Sequence, residues 1–214
     1  MSALSRILFT AALIAGLIAP LARAHPHIFV TTRIVVEMNE AQQVTGVKMT
    51  WEYDDFFTLL IFEDMGLDKD ADGALSEAEL DRLMGFDLIE WPEGFEGDLY
   101  LASEGRKIEM PRPVPHDIAV RGGKIVATQK RAIPNVAAEG LEIRQYDPTY
   151  YVSYDLSGGI EVPAPCAVRI EPPDMAAAEA EVAKLTEQSL SGDVFMEVKL
   201  GHLYASRAVI SCAG

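Results

Sequence analysis

The chain has 214 residues, enough for one sizeable hydrophobic core or for one domain carrying an inserted subdomain. Its 33 acidic and 18 basic side chains leave a formal charge of −15 at pH 7; this excludes a nucleic-acid grip, which needs a positive face to displace counterions from phosphates. Apolar residues make up 49% and charged ones 24%, the balance of a folded globular protein rather than a disordered one.

Residues 1–24 read as a secretory signal peptide. Arg6 precedes an uncharged apolar run, Pro20 breaks any helix, and Ala22-Arg23-Ala24 places small residues two positions apart, as signal peptidase requires. No other stretch supplies the ~20 apolar residues of a membrane anchor, so the expectation is a periplasmic chain with no anchor after processing. The segment 28–36 is rich in β-branched residues and predicts a strand. Residues 39–43 form a turn, and the alternation over 44–53 predicts its hairpin partner. Asp54 or Asp55 can then cap a helix through Phe56, Phe57, Leu59, Leu60 and Phe62, because a carboxylate satisfies the free amide donors at that end. A polar loop leads to a second short helix over about 76–84.

From Asp98 onward, Gly and Pro punctuate short strands at 99–101, 107–110, 117–120, 124–131, 141–146, 150–156 and 167–170. Residues 174–190 predict an amphipathic helix with Met175, Ala178, Val182 and Leu185 at helical spacing. A last strand over 203–210 ends near Cys212. The fold class expected is α+β, mostly β: an antiparallel sandwich-like domain over 25–214 with a helical insertion at about 54–90 and one later helix. Cys166 and Cys212 are the two cysteines. Export favours joining them, and a bridge across 46 residues is worth about 3–4 kcal/mol by chain-entropy reasoning. The alternative, two thiolate metal ligands, lacks CxxC spacing.

The most specific motif spans 68–79. Asp68, Asp70 and Asp72 place oxygens at positions one, three and five, and Gly73 at six permits a sharp turn. Ala74 at seven offers its backbone carbonyl, Ser76 at nine ligates directly or through water, and Glu79 at twelve can bind with both oxygens. This resembles an EF-hand loop, with helical sequence on both sides, and implies Ca²⁺, a hard ion that takes six to eight oxygens. The bland alternative is an acidic, solvated turn. A hand without a second hand beside it implies weak binding, on the order of 10⁻⁴ to 10⁻³ M, suited to a structural or sensing site.

Cleavage after Ala24 would make His25-Pro26-His27 the new amino terminus. Its α-amine and two imidazoles become neutral nitrogen donors near pH 7 and suit Zn²⁺, Ni²⁺, Co²⁺ or Cu²⁺. Pro26 lacks an amide proton, so a square-planar chelate through successive backbone nitrogens cannot form. What remains is His25 chelating through amine and side chain, with His27 or a distant residue completing the shell. In that one residue the arrangement resembles the copper brace of oxidative polysaccharide-cleaving enzymes. The alternative is two polar side chains at a frayed terminus. His116 and His202 are the remaining histidines and read as ordinary hydrogen-bonded side chains or as extra ligands.

Three blocks carry a family resemblance: Ala24-His25-Pro26-His27-Ile28-Phe29-Val30, Gly46-Val47 leading to Thr50-Trp51-Glu52-Tyr53-Asp54, and Asp147-Pro148-Thr149-Tyr150-Tyr151 after Tyr146. In them the chain resembles the bacterial periplasmic proteins grouped as domain of unknown function 1007, members of which are labelled as periplasmic components of ABC-type transport systems and are often encoded beside nickel/cobalt- or zinc-type transporters. The resemblance implies metal handling and a membrane metal transporter as partner, and transfers no ligand set. The aromatic third block also reads as a turn entering a packed strand. The chain has no GxSxG, HExxH, P-loop or dinucleotide fingerprint, so the expectation is a non-enzymatic accessory of transition-metal transport. The alternative is a calcium-stabilised structural or interaction module whose histidines are incidental.

Overall fold

The computed structural model describes residues 25–189 and 193–213. The expected signal peptide lies outside the described residues. Strands β1 (Ile28–Met38) and β2 (Gln43–Tyr53) form the expected hairpin. Val30, Thr32, Ile34 and Val36 turn inward at alternate positions of β1, as the two-residue strand period requires. In β2 a register shift between Val44 and Gly46 resets the phase, so that Val47, Met49, Trp51 and Tyr53 face the same core.

Helices α1 (Asp55–Met65) and α2 (Glu77–Leu83) follow, joined by the acidic loop. Then come β3 (Leu99–Ser103), β4 (Arg106–Ile108), β5 (Val114–Arg121), β6 (Lys124–Ala137), β7 (Glu142–Gln145), β8 (Val152–Asp155), β9 (Ile160–Glu161) and β10 (Cys166–Glu171). Helices α3 (Met175–Thr186) and α4 (Val194–Val198), a 3-10 turn at Leu200–Tyr204 and β11 (Arg207–Cys212) close the chain.

The strands build two sheets. One runs β5-β6-β2-β1-β8 with β9 also on β1, and the other runs β10-β11-β7-β3-β4. Both contribute to one apolar core: Ile34, Met49 and Ile125 from the first, Leu99, Ile143 and Ile210 from the second. The mostly β, α+β reading therefore stands, with one difference of detail: β8 and β9 pair with β1 in parallel, so the first sheet is mixed. The connection from β7 crosses over instead of turning back as a hairpin.

Cys166 lies directly opposite Cys212 in the β10–β11 ladder, and the two are joined as a disulfide. Helix α3 forms within the expected 174–190 segment, with a narrower apolar face than its four spaced residues suggest. Ala178 alone among its residues is fully buried, Val182 and Leu185 are half-buried, and Met175 faces solvent. Among the described residues no helix is long and apolar enough to cross a membrane.

Candidate metal centres

The acidic loop hangs between two capped helices. Asp54 caps α1 by accepting from the Phe57 N–H at 2.9 Å, and also takes the Phe29 N–H at 2.8 Å, which ties the helix start to β1. Gly66, at φ 60°, ends α1 and sends Leu67 into the core. The loop then coils on its own carboxylates. Asp68 accepts from the Asp72 N–H at 3.0 Å and from the Gly73 N–H at 3.2 Å, and Asp72 accepts from the Ala74 N–H at 2.8 Å. Gly73 stands at φ 78°, the left-handed conformation expected of position six.

In this coil one ligand oxygen from each of Asp68, Asp70 and Asp72 lies within 4.8 Å of the others. Three carboxylates at that spacing repel one another and fit a hard cation between them. Glu79 reaches from the first turn of α2 across the loop to accept from the Asp68 N–H at 3.1 Å, closing the ring of positions one and twelve. Its other oxygen accepts from the Ser76 hydroxyl at 2.7 Å and the Ser76 N–H at 3.0 Å. The Ser76 hydroxyl and then its N–H hold the Glu79 carboxyl below its usual range, with the Asp68 N–H and Arg82 adding to them against burial. The side chains predicted to ligate thus fall into two sets. Three aspartates are already grouped, while Ser76 and Glu79 are bonded to each other at the loop's exit and must exchange that bond to bind directly.

At the other end of the described chain, β1 is held by the aromatic block. His27 and Ile28 donate their N–H groups to the Tyr151 carbonyl at 2.8 and 3.2 Å. The Asp147 carboxylate shapes that turn by accepting from the Thr149 N–H at 2.8 Å and the Val152 N–H at 3.0 Å. The His25 and His27 rings come within 5.2 Å of each other, and His27 lies 4.6 Å from the Tyr151 ring. The His25 side chain is 5% exposed; its Nε2 sits 3.4 Å from the Asp193 carboxylate, and its Nδ1 is buried without a partner among the described residues.

Asp193, at the start of α4, is a neighbour that spacing did not reveal, 168 residues away in sequence. Its carboxyl is held low, first by the Met196 N–H and then by His25. His116 lies exposed on β5, and His202 approaches the Lys199 carbonyl at 3.3 Å. Neither joins the His25–His27 pair.

Two further carboxyls were not singled out by the sequence. Asp98, 6% exposed, accepts from the Tyr154 hydroxyl at 2.8 Å, and Asp87 accepts from the Tyr53 hydroxyl at 3.2 Å. Burial pushes Asp98 up to about 7, the Tyr154 bond opposing and the Asp147 charge adding. Burial also raises Asp87. Both face a cavity of about 300 Å³ between α1, the 86–98 segment and the first sheet.

No curated protein matches the chain. Among solved structures, acetylcholine-binding protein type 1 of Biomphalaria glabrata is similar at 8% identity and a TM-score of 0.32, over 98% of this chain and 97% of that one. The family model described as "Protein of unknown function (DUF1007)" matches residues 10–212, which include the turn that anchors β1, the acidic loop and the strand that ends at Cys212. The chain belongs to the DUF1007 family.

Proposed function

We propose that this protein is an exported metal-binding protein, not an enzyme, whose 68–79 loop takes Ca²⁺. The observation that carries the reading is the convergence of Asp68, Asp70 and Asp72 within 4.8 Å in a loop already curled by its own Asx bonds. Its affinity falls at about 10⁻⁴ to 10⁻³ M, the range of extracellular modules. Calorimetric titration with Ca²⁺ tests it. One site in that range is expected, weakened at least tenfold by Asp70→Asn, a change that leaves the Asp68 and Asp72 turns intact. Unaltered binding by that variant, or no binding by either protein, sinks the proposal.

The finer reading is a periplasmic accessory of Ni²⁺-, Co²⁺- or Zn²⁺-type transport, with His25 and His27 as ligands at a matured terminus and a membrane metal transporter as partner. The closeness of the two rings and a buried His25 Nδ1 with no partner among the described residues support it. Titration with Zn²⁺, Ni²⁺, Co²⁺ and Cu²⁺ before and after His25→Ala tests the ligands. The alternative, a calcium-stiffened interaction module, draws on α1, where Phe56 and Leu59 are 67% and 63% exposed. That reading expects no transition-metal binding that His25→Ala abolishes.

A further inference from the structure

The cavity beside Asp98 is built differently from either metal centre. Its walls are aromatic: Trp51 lies 5.3 Å from Tyr154 and 6.3 Å from Tyr53, and Phe57 of α1 packs 5.1 Å from Tyr53. Gly97 closes one side at φ 70°, where a Cβ would meet the Trp91 ring at 2.6 Å. Into this apolar space the fold sets Asp98 and Asp87. The second Asp98 oxygen, Oδ1, is buried with no hydrogen-bond partner among the described residues, and so is the Trp51 Nε1. A buried donor or acceptor left unmet is unfavourable by about 1–3 kcal/mol, a cost that a small molecule meeting both groups in the cavity would relieve.

Nearby cations do not answer them. Arg131, whose guanidinium lies 5.9 Å from the Trp91 ring, donates to the carbonyls of Glu96, Met110 and Pro111. Arg112 lies 5.1 Å from Trp91 and donates to the Ile89 carbonyl. Aromatic faces with a buried carboxylate at the base attract a positive charge, and an acceptor lacking a proton donor selects an N–H over a quaternary centre. The volume, about 300 Å³, is the lower end of small-ligand pockets and too small for a folded partner.

We propose that this cavity binds a small primary ammonium compound, its NH₃⁺ donating to Asp98 Oδ1 and lying against the Trp51, Tyr53 and Tyr154 rings. An acceptor atom on the same molecule would meet the Trp51 Nε1–H. The inference does not rest on calcium binding or on the histidines. It is tested at about pH 8, where Asp98 is ionised and both amines stay protonated, by calorimetry on the purified protein with two charge pairs of matched shape: benzylammonium with benzyl alcohol, and n-butylammonium with 1-butanol. At least one ammonium is expected to bind saturably and at least tenfold more tightly than its alcohol, and Asp98→Asn is expected to remove that preference. The alcohols matching the ammoniums, no saturable binding of either ammonium, or an undiminished preference in a folded Asp98→Asn protein would each overturn it. The wild-type comparison decides the matter even if the variant fails to fold.

Discussion

Asp98 links a single side chain to the pH response of the fold. Its carboxyl rises to about 7 in the folded protein and returns to about 3.9 when unfolded, so the folded state holds the extra proton between those values. The contribution to stability is complete below about pH 4 and is lost as pH rises through about 7. Asp98→Asn, which cannot ionise, should therefore gain on the wild type by roughly 2–4 kcal/mol between pH 4 and 8. Denaturant unfolding of both proteins at several pH values measures that difference, and a constant offset would contradict it. The loop aspartates make a second residue-scale prediction. Ca²⁺ at a hundred times its dissociation constant stabilises the folded state by about 2.7 kcal/mol. Asp70→Ala should then lower the melting temperature in Ca²⁺ and leave it nearly unchanged in chelator; equal shifts in both buffers would remove the calcium clamp.

Among the elements, the 3-10 turn at Leu200–Tyr204 and the Asp147–Pro148 turn meet almost backbone to backbone. Gly201 donates its N–H to the Pro148 carbonyl at 2.9 Å, and a Cβ there would lie 1.8 Å from the Asp147 carbonyl oxygen. The contact is braced by Tyr150 stacked on Tyr204 at 4.2 Å. Because the obstacle is backbone, Gly201→Ala should destabilise the protein by about 1–3 kcal/mol or more, read from chemical denaturation. The same displacement should loosen the Tyr151 carbonyl that holds His27, giving faster amide exchange at His27 and Ile28. Gly201 does not stand at positive φ, so the cost comes from the clash with backbone and not from conformational strain.

Over the whole molecule, the disulfide cross-links the ends of β10 and β11, strands that α3 and α4 separate along the chain. Reducing Cys166–Cys212 frees a loop of sequence separation 46 and should cost about 2–4 kcal/mol, seen as a lower melting temperature in reductant. An unchanged melting curve would mean that the β10–β11 ladder holds without it.

Much of the architecture was legible from local pattern. Alternation over 44–53 specified β2, a cap at Asp54 or Asp55 set the start of α1, and the 68–79 spacing placed three aspartates around one point, because caps, turns and period-two faces depend on neighbours in the chain. The parallel pairing of β8 and β9 with β1, the Asp193 beside His25, and the aromatic cavity were not legible. Each joins residues from distant segments, and a lone Asp before a strand reads as a surface turn until packing buries it. The 68–79 loop's chemistry was therefore written in consecutive residues, whereas the environment of Asp98 was decided by tertiary packing, since burial and the company of Tyr154 and Trp51 exist only after the sheets have closed.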